Sequence, residues 1–292
     1  MKSIFAVVLI VLITLSGSLM AEPWRISSDA SLSFNQSSYS DNWAGTELGT
    51  ISWTAKSTTI AEKQLSEILN NKTTFKLSYG QTHQQKTRID SETGEEEKHW
   101  GKPEKSTDKI DLESLFRFTL HGYVDPFLAA RWESQFLDLR YEDETYIINP
   151  HRFTESAGVI RNFINEPNHS LSARIGAAFR QQLDRNEEVR QAETMYDGGI
   201  EFIAEYMKRF LPQDILYNSR LQVYQALFNS EEDELVEDHW KRVDVKWENT
   251  LSTRIWSIIN ASLFFETVYE REEHKNPQFR QTLGLGIFFQ LY

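Results

Sequence analysis

Charged side chains recur at alternate positions through much of the chain, as in Asp244, Lys246 and Glu248 or in Arg131 with Glu133. In an extended segment, residues two apart lie on one face, so such runs build a polar wall opposite an apolar one. A wall carrying both signs can do two kinds of chemistry. Its ions can satisfy one another and water, which is the plainer reading, or they can line an aqueous path and select among solutes. The residues assigned to this wall, and hence to the lining of an enclosed lumen, are Arg117, His121, Arg131, Glu133, Arg174, Arg180, Glu201, Glu205, Arg220, Asp244, Lys246, Glu248, Arg254, Glu266 and Glu270.

Catalytic signals are thin, and no catalytic residue, cofactor or metal site is expected. The seven histidines, at 83, 99, 121, 151, 169, 239 and 274, form no paired ligand spacing. His169 and Ser170 are adjacent and would point to opposite faces. A barrel enzyme acting on lipid would need Ser and His together on the lipid-side face, and no His-x-Ser run or Gly-x-Ser-x-Gly turn occurs. Glu201 and Glu205 share a face, but roughly 13 Å of strand rise separates them. That exceeds the separation of about 5 to 9.5 Å that glycoside hydrolysis uses. The acidic runs at 95–97 and 231–238 (EEDELVED) offer oxygen ligands without EF-hand spacing and read as solvated loops.

The elements that must position the polar wall are strands. Over 282–292, Leu283, Leu285, Ile287, Phe289 and Leu291 fall on one side, and Thr282, Gly284, Gly286 and Gln290 on the other. Over 242–255, Val243, Val245, Trp247, Leu251 and Ile255 oppose Asp244, Lys246, Glu248, Thr250 and Arg254. Similar runs at 28–35, 48–56, 73–81, 110–121, 127–137, 153–163, 171–182, 198–207, 215–227 and 258–269 bring the total to about twelve. Several reach the roughly 9 to 11 residues that a tilted strand needs to cross a bilayer, whereas strands of soluble proteins average nearer five or six. The segment 59–71 has helical spacing at Ala61, Leu65, Ile68 and Leu69, and fits either a short helix or a strand continued through a turn.

Connections alternate in length. Short ones at 122–126 (GYVDP), 165–170 (NEPNHS), 209–214 (RFLPQD) and a bend near 252–254 are interleaved with long acidic stretches at 83–108, 138–149, 183–193, 229–239 and 270–276. The long stretches hold 24 acidic residues against 10 basic ones, so the strands and the remaining chain are close to neutral. That alternation is the habit of outer-membrane barrels, with short periplasmic turns and longer external loops. The expected fold is therefore all-β, a transmembrane antiparallel up-and-down barrel of about twelve strands. Tryptophans and tyrosines at 132, 206, 217, 240, 247, 256 and 269 fit an interfacial girdle better than a sugar-stacking platform.

The N-terminus has Lys2, an apolar stretch over 4–15, then Ser16, Gly17, Ser18 and Ala21. This describes a secretory signal peptide over 1–21, cleaved after Ala21, leaving a single barrel domain over 22–292. The chain of 292 residues carries a net charge of -12 and no cysteine, which excludes disulfides, thiolate metal sites and a lipid attached to an N-terminal cysteine. The acidic balance speaks against nucleic acid. The expected location is the outer membrane of a Gram-negative-type bacterium. Expected partners are outer-membrane lipid, lipopolysaccharide and, through the terminal Phe289, Leu291 and Tyr292, the barrel-assembly machinery.

The segments 34–47 (FNQSSYSDNWAGTE), 108–114 (DKIDLES), 132–136 (WESQF) and 282–292 (TLGLGIFFQLY) give the chain a likeness in order along nearly its whole mature length. On them it resembles an uncharacterised bacterial barrel family, domain of unknown function 3078. That family usually has a Trp-Ala-Gly-Gly type sequence after the first strand, and here Gly45 is followed by Thr46. The resemblance implies an outer-membrane barrel and carries over no site. A structural or pore-like barrel is the expected function. The rivals are a barrel enzyme acting on outer-membrane lipid and a soluble periplasmic carbohydrate-binding β-protein.

Overall fold

The computed structural model describes residues 23–38, 48–89, 96–120, 122–140, 145–185, 192–212, 214–230, 241–256, 259–270 and 276–291. The expected signal segment, His121, Trp240 and the run 231–238 lie outside these residues. The strands are β1 (Arg25–Ser37), β2 (Thr50–Ser66), β3 (Leu69–Ile89), β4 (Glu96–Trp100), β5 (Glu104–Phe118), β6 (Asp125–Ser134), β7 (Leu137–Asp138), β8 (Tyr146–Ile147), β9 (His151–Glu166), β10 (His169–Arg185), β11 (Ala192–Phe210), β12 (Ile215–Asn229), β13 (Val243–Trp256), β14 (Ile259–Tyr269) and β15 (Gln278–Leu291).

Twelve of these form one antiparallel ring, in the order β1, β2, β3, β5, β6, β9, β10, β11, β12, β13, β14, β15. The ring closes where β15 pairs with β1, from Ser28 opposite Leu291 to Phe34 opposite Leu285. Closure leaves no edge strand within the ring. Each expected strand corresponds to one member of the ring, with the members running from 10 residues in β6 to 21 in β3.

The differences lie where one face is not apolar. β3 continues to Ile89 and β5 starts at Glu104, so much of the stretch read as a loop over 83–108 is strand, with β4 paired on the upper end of β3. Gln84, Gln85, Lys86, Thr87 and Arg88 are polar on both sides and give no alternation to read. A small hairpin of β7 and β8 occupies the next long connection. The ambiguous stretch 59–71 is strand, a two-residue turn at Glu67 and Ile68, and strand again, with the Thr119 amide donating to the Ile68 carbonyl at 2.8 Å. The bend expected near 252–254 is continuous β13, because Ser252, Thr253 and Arg254 stay in register with Ser262, Ala261 and Asn260. Short connections and the described chain ends share one rim. The long connections, including one over 38–49 not anticipated as long, share the other.

The short turns are tied by side chains. Asp125 at the start of β6 accepts from the Leu120 amide at 3.1 Å and from Arg117 Nε at 2.7 Å, fixing the return from β5. Asp214 adopts φ of 51°, a left-handed conformation that Asp tolerates, and accepts from Arg209 at 2.5 Å.

The register divides the ring into two faces. Ile26, Leu32, Leu128, Ile175, Ile200, Leu251, Leu283, Leu285 and Ile287 point outward and are exposed. The other face is interior, as contacts between non-neighbouring strands prove, and it is largely polar. Its apolar part is small: Phe127, Ala129 and Ile160 form one buried cluster, and Ala178, Tyr224 and Ala226 another, with Ile203 2% exposed. The molecule thus reverses the usual placement of apolar and charged side chains.

Gly158 on β9 pairs with Gly176 on β10, and both face the interior. A Cβ at Gly158 would stand 2.1 Å from the Ile175 carbonyl oxygen, and one at Gly176 2.3 Å from that of Ala157. The strands could not keep this approach with larger residues. Gly158→Val is expected to destabilise the barrel by about 1 to 3 kcal/mol through overpacking. The measurement is the urea midpoint of the refolded protein, which should fall relative to the parent, while Ala157→Val on the outward face should leave it nearly unchanged.

Candidate functional site

The interior wall is the chain's concentration of charge. The register puts Arg117, Arg131, Glu133, Arg174, Arg180, Glu201, Glu205, Arg220, Asp244, Lys246, Glu248, Arg254 and Glu266 on this inward face. Glu270, just past β14, lines a cavity of about 40 Å³ together with Glu133, Arg180, Asp244 and Lys246. His121 lies outside the described residues.

Most of these charges are bound, and several bonds cross the barrel. Glu113 on β5 accepts from Arg174 on β10 at 2.8 and 3.0 Å, and from Arg220 on β12 at 3.0 Å. Lys109 on β5 contacts Glu248 on β13 at 3.4 Å. Those two strands lie half-way round the ring from each other, so the contact spans the barrel. Arg131 on β6 donates to Asp111 at 2.8 and 3.0 Å and to Gln222 on β12 at 3.0 Å. Arg180 on β10 reaches Asp197 at 2.9 Å and Asp244 on β13 at 3.1 Å. Gln222 donates to Glu201 at 2.9 Å, and Arg220 also pairs with Glu205.

The two carboxylates Glu201 and Glu205 therefore serve separate partners and do not converge. Nearer the long-loop rim, Arg280 binds Glu266 at 2.6 Å, and Lys246 lies 3.9 Å from Glu248 and from Glu266. Arg254 stands 3.8 Å from Asp214 at the opposite rim. Ion pairs out of bulk water need partners and hydrogen bonds to offset desolvation, and this network supplies both.

Lys109, Asp111, Glu113, Asp197, Gln222 and Arg280 escaped the sequence reading although they join its assigned residues directly. Asp111 and Glu113 have the parity of Arg117 in the same expected strand, so extending that parity would have found them. Lys109 and Arg280 lie just beyond the expected strand ends. Asp197 shares the parity of Glu201 and Glu205 and lies one residue before the expected strand 198–207.

The outer wall and the long-loop rim have their own chemistry. Trp132, Tyr206, Tyr217, Trp247 and Tyr269 face outward. The Trp132 indole N–H donates to His151 Nδ1 at 3.2 Å. Asp108 accepts from the Phe136 and Leu137 amides at 2.6 and 2.9 Å, joining two of the quoted sequence segments. The β7–β8 hairpin is clasped to β10. Arg140 donates to Asp138 at 2.7 Å and to Asp184 at 2.7 Å, and the Asn149 amide donates to the same two carboxylates at 2.7 and 2.9 Å. Among the described residues no cluster of three His, Asp or Glu is placed to hold a metal ion.

No protein-family model matches the chain, and no curated protein does. Among solved structures, it is similar to the translocator domain of the autotransporter NalP from Neisseria meningitidis, at 9% identity and TM-score 0.39, covering 99% of this chain and 95% of that one. An outer membrane channel from Pseudomonas putida F1 gives 12% identity and TM-score 0.41, covering 91% and 94%. A mutant Rh. blastica porin gives 8% identity and TM-score 0.24, covering 92% and 100%. With TM-scores below 0.5 none of these likenesses bears on function, and the barrel assignment rests on the chain's own closed register.

Glu113→Ala leaves Arg174 without its carboxylate and should cost about 3 to 5 kcal/mol, the usual penalty for an uncompensated buried charge. Arg174→Met in the same background should recover part of the loss, read as a positive coupling in a double-mutant cycle of urea midpoints. At the rim, burial alone would raise the Asp138 carboxyl, but hydrogen bonds from Arg140 and Asn149 outweigh it and hold the group below its ordinary value. The folded rim then favours the anion, so the clasp is intact at neutral pH and is lost as pH falls from about 3.9 through that depressed value. Pepsin cleavage within 138–149 should rise across this range, and Asp138→Asn should be cut readily even at its upper end.

Proposed function

We propose that the protein is an integral outer-membrane β-barrel of structural or pore-like type, its lumen held mostly shut by ion pairs between opposite walls. The observation that carries the reading is the reversed polarity of the ring, with exposed Leu128, Ile175, Leu251, Leu283, Leu285 and Ile287 outside and the Arg131, Glu113, Arg220 network inside. An apolar surface that encircles the molecule marks a membrane-facing wall. Backbone groups there need no water, because every barrel strand is paired on both sides.

In this reading residues 1–21 are a signal removed on export and 22–292 make the barrel. The rim with short turns faces the periplasm, and the acidic long-loop rim faces outward, where divalent cations would bridge it to lipopolysaccharide. β15, which closes on β1, is the strand that barrel-assembly machinery would engage. Membership of the uncharacterised barrel family belongs to the same proposal. It rests on the sequence segments 34–47, 108–114, 132–136 and 282–292. No catalytic role is included.

The test is folding into phospholipid vesicles followed by urea titration. Leu285→Arg, on the lipid side, should cost about 2 to 4 kcal/mol if it lies near the bilayer midplane. Thr282→Arg, on the lumen side of the same strand, should cost much less. Equal effects, or a mature chain that stays monodisperse in detergent-free buffer, would overturn the reading.

A further inference from the structure

The lumen is not packed evenly. Inward residues that are buried come largely from the strands β5 to β12, where Phe127, Ala129, Arg131, Ile160, Arg174 and Ile203 fill the interior. On β15, β1 and β2 no described inward residue is buried. Besides Lys56, Glu62 and Arg280, short side chains are frequent there: Ser31, Ser33, Thr54, Thr58, Gly284 and Gly286 face the lumen. Long ionic side chains thus crowd one half of the cross-section, while in the other half they are limited mainly to Lys56 and Arg280, with hydroxyl and glycine positions between them.

The charge along that less crowded half is uneven as well. Lys56 on β2 and Lys109 on β5 both pair in register with Ser78 on β3, and Lys76 lies two residues along the same strand. Three inward ammonium groups therefore meet on three neighbouring strands. Lys109 is held by Asp111 at 3.1 Å and by Glu248. Lys56 lies over the Phe264 ring at 4.5 Å, and neither it nor Lys76 has a carboxylate within ion-pair distance among the described residues. Asp29 and Glu62 face the same half nearer the short-turn rim, and Glu62 is engaged by Arg25 at 3.6 Å. Fixed charges of one sign at a narrow place favour the passage of the opposite sign.

We infer that the barrel carries an off-centre aqueous path for small inorganic anions along the wall of β15, β1, β2 and β3, with Lys56 and Lys76 setting its selectivity. The inference rests on the membrane-spanning reading and adds to it where conduction occurs and which ion is preferred. Hydroxyls of the small residues keep the path wet, and the ion pairs of the other half hold the barrel open along this side only.

The experiment is conductance of the refolded protein in planar bilayers under a KCl gradient, with insertion scored separately by heat-modifiable migration on gels. The parent should give small discrete steps with a reversal potential on the chloride-selective side. The double variant K56E/K76E should carry the reversal potential across zero to the potassium side, and the neutral K56M/K76M should bring it close to zero. Ser31→Tyr, which fills the small-residue half, should reduce the step size several-fold. A folded and inserted parent that is silent, or a chloride preference unmoved by both lysine double variants, would overturn the path while leaving the membrane-spanning reading intact. Failure of the parent to insert would overturn both.

Discussion

The closure of β15 on β1 is the constraint on which the rest of the structure depends. Once the twelve strands share a continuous register, every residue in them faces either the outside or the lumen, and no third environment exists. A bulge, as at Phe163 on β9 opposite Leu171 and Ser172 or at Leu227 on β12 opposite Gly198 and Gly199, is the local means of changing that assignment. Because the ring leaves no free edge, backbone hydrogen bonding is satisfied without water along the whole wall, and the outward side chains are free to be apolar.

The same constraint forces ionic chemistry into the lumen. Polar residues on the inner face of twelve strands meet one another across a confined space, and they have settled as shared pairs. Glu113 serves both Arg174 and Arg220, and Arg131 serves Asp111, Glu133 and Gln222. Sharing of this kind couples strands distant in sequence, such as β5 with β13, and resists flattening or slippage of the ring. Diameter grows with strand number, so a twelve-stranded wall would ordinarily leave an open centre. Here the longest side chains project from opposite walls and occupy it, while serines and glycines on β15, β1 and β2 do not.

Much of the architecture was legible because one face of each strand is apolar. Leu283, Leu285 and Ile287 against Thr282, Gly284 and Gly286 define both the strand and its two sides. The alternation of short and long connections also carried over. What escaped reading had a common cause: where both faces are polar, as over 84–88, the period-two signal vanishes although pairing continues. Side-chain partnerships were equally hidden. The parity of Arg220 and Glu113 could be read, but their meeting depends on which strands stand opposite, and that is a property of ring closure. The Asp138, Arg140, Asn149 and Asp184 clasp lies between elements and has no periodic signature at all.

The membrane-spanning assignment depends on what surrounds the outward face. Tryptophan fluorescence of the refolded protein in vesicles containing brominated phospholipids reports this directly, because Trp53, Trp132, Trp247 and Trp256 lie on strands of the ring. Strong quenching by the brominated chains is expected, relieved and accompanied by a red shift once urea unfolds the barrel. Emission indifferent to the lipid bromines while the chain remains folded would show that water or protein, and not lipid, covers that wall.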